Sequence, residues 1–123
     1  MLIASVGERV IVGTDKGLGV LDVSKLRFEL FQPPVMLLNQ PTSWAISKDQ
    51  KKLDLCEYFE GEDGPDVIQT YTFNLQSMKV ILNTMVENGR CPSSEQQQQT
   101  TLRLSSGISV NLAWDGLLIR DKE

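Results

Sequence analysis

Any catalytic chemistry in this chain has few residues to draw on. Histidine is absent, which removes the commonest general base and the commonest metal ligand. Cys56 and Cys91 are the two cysteines. Without histidine they make a poor zinc site, and no Ser-His or Cys-His nucleophile can be assembled within the chain. Ser-Lys pairs at 24–25 and 47–48 both fall in turn-forming segments, where serine closes the bend and lysine is solvated. The stretch CEYFEGEDGPD carries Glu57, Glu60, Glu62, Asp63 and Asp66. It lacks the alternating oxygen ligands, the glycine at six and the glutamate at twelve that a calcium loop requires. These residues point away from an enzyme, and no metal or cofactor is expected. The acidic stretch reads as a charged hairpin loop or as a docking surface for a basic partner, with Glu62 and Asp63 near its tip.

The other segment with chemical character is RCPSSEQQQQTT, residues 90–101. From Gly89 to Gln99 its only residues with apolar character are Cys91 and Pro92. A connector between two sheets usually needs only a few residues. Two readings stand: a solvated connector, or a recognition loop. Glutamine offers both donors and acceptors, and serine is small enough to enter a narrow cleft. On the second reading Ser93 and Ser94 form the tip, and Glu95, Gln96 and Gln97 follow at the rim. Cys91-Pro92 anchors one end, and an anchored loop loses less entropy on binding. Cys56 and Cys91 either pair in an oxidising compartment, contributing about 3 kcal/mol by chain-entropy arguments, or remain small buried thiols in a reducing one.

The elements that must position these residues have a period of two. In SGISVNLAWDG, Ile108, Val110, Leu112 and Trp114 share one face, as in a half-buried strand. KLRFELF, DVIQTYTFN and SMKVILNTMV alternate similarly, and the Val, Ile and Thr content of the last favours strand over helix. Trp44 and Trp114 lie on apolar faces with Ile46 and Leu112 and read as core. Turn signals such as GTDKG, DVSK, SKDQKK, GEDGPD, NLQS and WDG separate the runs. Ten or eleven short strands result, roughly 2–6, 9–13, 17–22, 26–31, 43–47, 53–59, 67–73, 78–86, 100–105, 108–114 and 117–120. Such spacing means an antiparallel all-β fold. The strands fall into three groups, and the run LIASV is expected to pair with the C-terminal group as its fourth strand.

At 123 residues the length suggests one domain, 1–123. The net charge of −4 and the absence of a basic block argue against nucleic acid. The longest apolar run, PPVMLL, has six residues, far short of a membrane span. No basic region followed by a long apolar segment opens the chain, so no signal peptide is read there.

Two groups resemble β-propeller blades. VIVGTDKGLGVLDVSKLRFELF resembles a blade's inner hairpin, and WAISKDQKKLDLCEYF with IQTYTFNLQSMKV is similar to a blade's strand pair and outer strand. The resemblance implies a propeller-like arrangement of about three small sheets, although true propellers carry four or more blades. It leaves open a fragment or module of a larger propeller, serving as a protein-interaction scaffold. An acidic, histidine-free, three-sheet chain with a serine-bearing loop also resembles the immunity proteins that bacteria pair with type VI secreted peptidoglycan amidases. That likeness implies a protein partner, a cognate enzyme toxin whose Cys-His cleft the loop at Ser93 and Ser94 plugs. It also implies a periplasmic location with the signal peptide lying outside this chain; a cytoplasmic location is the alternative.

Overall fold

The computed structural model describes residues 1–37, 41–92, 101–113 and 116–120. Among them every regular element is a β-strand, and all pairing is antiparallel. A first sheet runs β1 (Leu2–Val6), β2 (Arg9–Thr14), β3 (Gly17–Asp22) and β4 (Arg27–Leu30). A second runs β5 (Ser43–Ile46), β6 (Lys52–Phe59), β7 (Val67–Asn74) and β8 (Lys79–Glu87). The third contains β9 (Thr101–Arg103), β10 (Ser109–Ala113) and β11 (Gly116–Arg120). In each sheet the strands lie side by side in chain order. The period-two pattern thus located all eleven strands, to within a residue or two at most ends. The strands group into two compact units: Met1–Gln40 with Gln98–Glu123, and Pro41–Gln97.

The first and second sheets are built on one local design. At the β3–β4 turn, the Ser24 hydroxyl and the Lys25 amide donate to Asp22 Oδ1 at 2.7 and 3.2 Å. At the β7–β8 turn, the amides of Gln76 and Ser77 donate to Asn74 Oδ1 at 2.8 and 2.9 Å. Such side-chain acceptors replace backbone partners in tight turns. Each turn ends on a non-glycine residue with positive φ, Leu26 at 50° and Met78 at 61°. Each also places a buried aliphatic after the acceptor. Val23 donates its amide to the Glu8 carbonyl at 3.0 Å, and Leu75 to the Lys51 carbonyl at 2.8 Å. The motifs DVSKL and NLQSM therefore close hairpins in the same way, which is why both runs carry blade-like spacing.

The N-terminal strand does not complete the C-terminal sheet. β1 pairs with β2, Val6 facing Arg9 and Ser5 facing Val10, so the first sheet has four strands and the third has three. Apolar alternation fixed which side of β1 is buried, but it could not say whether the strand pairs with a sheet or stacks on it. It stacks. Leu2, Val10, Val12 and Val23 form one buried cluster with Leu102, Leu104 and Val110. The turn after β1 adds a polar clamp. Glu8 accepts the Ser105 hydroxyl on Oε1, the Ser106 amide on Oε1 and the Ser106 hydroxyl on Oε2, each at 2.7 Å. These hydroxyls hold the Glu8 carboxyl below its ordinary range.

Two glycines have specific roles. A Cβ on Gly19 would sit 2.5 Å from both the Glu29 carbonyl oxygen and the Phe28 ring, so only glycine lets β4 lie this close. Gly116 opens β11 opposite Ala113 with φ +146°. The turn signal WDG falls where β10 and β11 form a hairpin, with the glycine as the first residue of β11. Trp114 lies outside the described residues.

Candidate interaction surface

The second sheet has two faces, read from its register. Leu53 faces Phe73, Leu55 faces Tyr71 and Glu57 faces Gln69, so these residues share one side with Trp44 and Ile46. Asp54, Cys56 and Tyr58 lie on the other with Thr72, Thr70 and Ile68, and Thr84 and Val86 continue it on β8. The Thr72 hydroxyl donates to Asp54 at 2.7 Å, and Thr70 and Thr84 share a short hydrogen bond.

The chain leaves β8 across this second face. A Cβ on Gly89 would lie 2.8 Å from the Ile68 side chain, so the backbone passes directly over β7. Two residues later Cys91 is bonded to Cys56 on β6, with a Cα–Cα separation of 5.7 Å. Of the two readings open for these cysteines, the bridge is the one present. Pro92 then lines a shallow cavity of about 330 Å³ with Ser43, Trp44, Asp54, Thr70 and Thr72. Trp44, whose side chain lies on the first face, is half-buried. Ser93, Ser94, Glu95, Gln96 and Gln97 lie outside the described residues; what is described is the base from which they start.

The acidic turn sits at the end of the sheet where β8 finishes, since Phe59 faces Val67 and Val67 faces Glu87. Asp66 closes the turn. Its Oδ2 accepts the Tyr58 hydroxyl at 2.5 Å and its Oδ1 accepts the Gly61 amide at 3.0 Å. The Tyr58 bond lowers the Asp66 carboxyl and raises the Tyr58 hydroxyl. Asp66 is thus occupied in holding the turn, while Glu60, Glu62 and Asp63 are exposed beside the exposed rings of Tyr58 and Phe59. Glu57 differs: it is buried, and loss of water raises its carboxyl. Burial also raises the nearby Tyr71 hydroxyl, with the Glu57 charge adding to it.

The sequence locates β8 but does not show that it is an exposed edge. It is an edge strand of nine residues. Ile81 is 51% exposed, Leu82 53%, Met85 68% and Val86 47%. Alternation along SMKVILNTMV sets Met78, Val80, Leu82 and Val86 on one face, but a bulge breaks it: Thr72 faces Leu82, whereas Phe73 faces Val80. One extra residue flips the parity of everything before it, so Val80 leaves the face of Leu82 and Val86 and joins that of Met85. The visible signal was length, seven uncharged residues between Lys79 and Glu87.

Ser24 and Ser47 close turns through Asp22 and Asp49, the Ser47 hydroxyl donating to Asp49 Oδ1 at 2.6 Å. Among the described residues there is no group of three or more acidic or cysteine side chains arranged to hold a metal ion, and no helix is long and apolar enough to cross a membrane. No family model matches the chain, and no curated protein or solved structure is significantly similar to it.

Proposed function

We propose that this chain is a non-enzymatic, protein-binding inhibitor. Its polar loop, led by Ser93 and Ser94, enters the active-site cleft of a partner enzyme. The observation that supports this reading is the pinned base of the loop: residues 88–91 cross the second sheet and are tied to β6 by Cys56–Cys91. A recognition loop works best from a rigid support, because ordering it on binding then costs less. In a Cys-His site a serine hydroxyl donates to one catalytic group and accepts from the other, and it offers no bond to cleave. Glu62 and Asp63, exposed at the end of the same sheet, suit a basic rim on the partner. By resemblance the partner class is a type VI secreted peptidoglycan amidase, the compartment is the periplasm, and the three sheets take a propeller-like arrangement. The disulfide is compatible with that compartment.

A second reading has its own support. The repeated design of the first two sheets favours a module of a larger β-propeller that acts as a protein-interaction scaffold.

The test is to capture a partner from the source organism's extract, identify it by mass spectrometry, and titrate it with Ser93→Trp and Ser94→Trp chains. The inhibitor reading expects both to weaken binding and inhibition at least about tenfold with an unchanged melting temperature. Unchanged affinity for both leaves the loop a connector and makes the acidic turn the leading surface.

A further inference from the structure

β8 lies at the edge of the second sheet and exposes apolar side chains. Asn88 donates its amide to the Asp66 carbonyl at 2.7 Å, so the 66–88 pair is hydrogen-bonded. Opposite residues alternate between hydrogen-bonded and non-bonded pairs. Hence Val86, Thr84 and Leu82 turn their backbone groups toward β7, opposite Ile68, Thr70 and Thr72. The amides and carbonyls of Asn83, Met85 and Glu87 therefore point away from the sheet. The other side of β7 agrees: Leu75 donates to the Lys51 carbonyl at 2.8 Å, so the odd-numbered residues of β7 face β6.

Unpaired edges are ordinarily kept short, charged or covered. β5, the opposite edge of this sheet, has four residues, and β4 has four that include Arg27 and Glu29. β8 has nine, reads KVILNTMVE, and is charged only at its ends. Those ends carry opposite signs. A two-fold axis through Asn83 sets two β8 strands antiparallel, so the Lys79 end of each lies at the Glu87 end of the other; the bulge puts Lys79 on the second face and Glu87 on the first, so the opposite charges meet at the end of the seam from its two faces. The outward groups of Asn83 then meet those of its own copy. Parallel pairing would bring like charges together at both ends.

We propose that β8 is a homodimerisation strand: two copies of this chain join edge to edge, antiparallel about Asn83, into one continuous eight-stranded sheet. This pairing uses the same edge on both copies, so it closes at two and leaves no growing end. It does not depend on the loop's role.

The experiment is light scattering with size exclusion and sedimentation on the full chain, from about 1 μM to about 1 mM, the range of weak to moderate affinities. Wild type is expected to be a dimer over at least the upper part of that range. Met85→Pro removes an outward amide without touching the β7 ladder, a place where edge strands tolerate proline. It is expected to be monomeric with an unchanged circular dichroism spectrum. Glu87→Lys puts like charges at both ends of the seam and should raise the dimer dissociation constant about tenfold. Adding Lys79→Glu should restore it. A wild-type monomer throughout, assemblies larger than two, or a folded Met85→Pro chain that still dimerises overturns the proposal. If Met85→Pro fails to fold, the charge reversals decide, and a Glu87→Lys chain that pairs as tightly as wild type overturns it. A monomer whose capture of a partner enzyme is abolished by Met85→Pro assigns the edge to that partner instead.

Discussion

Removing the Cys56–Cys91 bridge is the perturbation that separates the structural from the functional part of the second sheet. The bond links residues 35 apart in sequence. The chain-entropy relation for such a loop gives about 4 kcal/mol, somewhat above the round figure of about 3 kcal/mol expected from the sequence. An unfolding entropy of about 2.1 cal/mol/K per residue, taken over the 123 residues, amounts to about 0.26 kcal/mol/K. A loss of about 4 kcal/mol then lowers Tm by about 15 °C if the chain unfolds as one. The shift is larger if Pro41–Gln97, which holds both cysteines, melts by itself. Cys56→Ala with Cys91→Ala avoids a stray thiol and keeps the buried position apolar. The assay is a calorimetric melt of that variant beside wild type with and without reductant; reduced wild type should move with the variant. A shift below about 4 °C refutes the reasoning, because the reduced unfolded chain would then already hold these segments together. Binding supplies the second readout. With the bridge gone, residues 88–92 must be ordered along with the loop, and affinity for a captured partner should fall at least about tenfold. A full Tm loss with unchanged affinity separates the pinned base from recognition.

Two further outcomes follow from the first unit. Leu2 is buried in the cluster with Val110 and Leu102, so Leu2→Ala should cost about 2–5 kcal/mol, read by denaturant melts; a cost under about 1 kcal/mol means β1 is not stacked on the third sheet. Glu8→Gln should lower Tm at neutral pH and flatten its acid dependence. The Ser105 and Ser106 hydroxyls hold the folded carboxyl below its unfolded value, so that stabilisation is fully present above the unfolded pKa and is lost as pH falls through the folded one; a variant whose Tm tracks wild type across the acid range removes the clamp from the account.

The strands were legible in the sequence because period-two alternation and turn chemistry agree at each of them. DVSKL and NLQSM announce hairpin closures through Asp22 and Asn74, and GEDGPD announces the acidic turn, although which acid closes it becomes clear only when Tyr58 and Gly61 converge on Asp66. What was not legible depends on pairing between distant segments. LIASV has the same pattern whether it extends the third sheet or stacks against it, and only packing distinguishes the two. The bridge was open for the same reason, since sequence gives residue separation and a disulfide needs a Cα separation.

β8 shows why such a gap matters for function. Its alternation looked like that of a half-buried strand, yet alternation assigns faces only while the register is unbroken, and the bulge opposite Thr72 and Phe73 breaks it. A continuous register would have kept Val80, Leu82 and Val86 on one side. With the extra residue, Val80 joins Met85 on the face opposite Leu82 and Val86. An apolar edge exposed on both faces is costly to leave in water and prone to adding another strand. Burial of one face of the second sheet does not account for it; the proposed strand addition at this edge does, because an in-plane neighbour pairs the outward backbone groups and flanks the side chains of both faces.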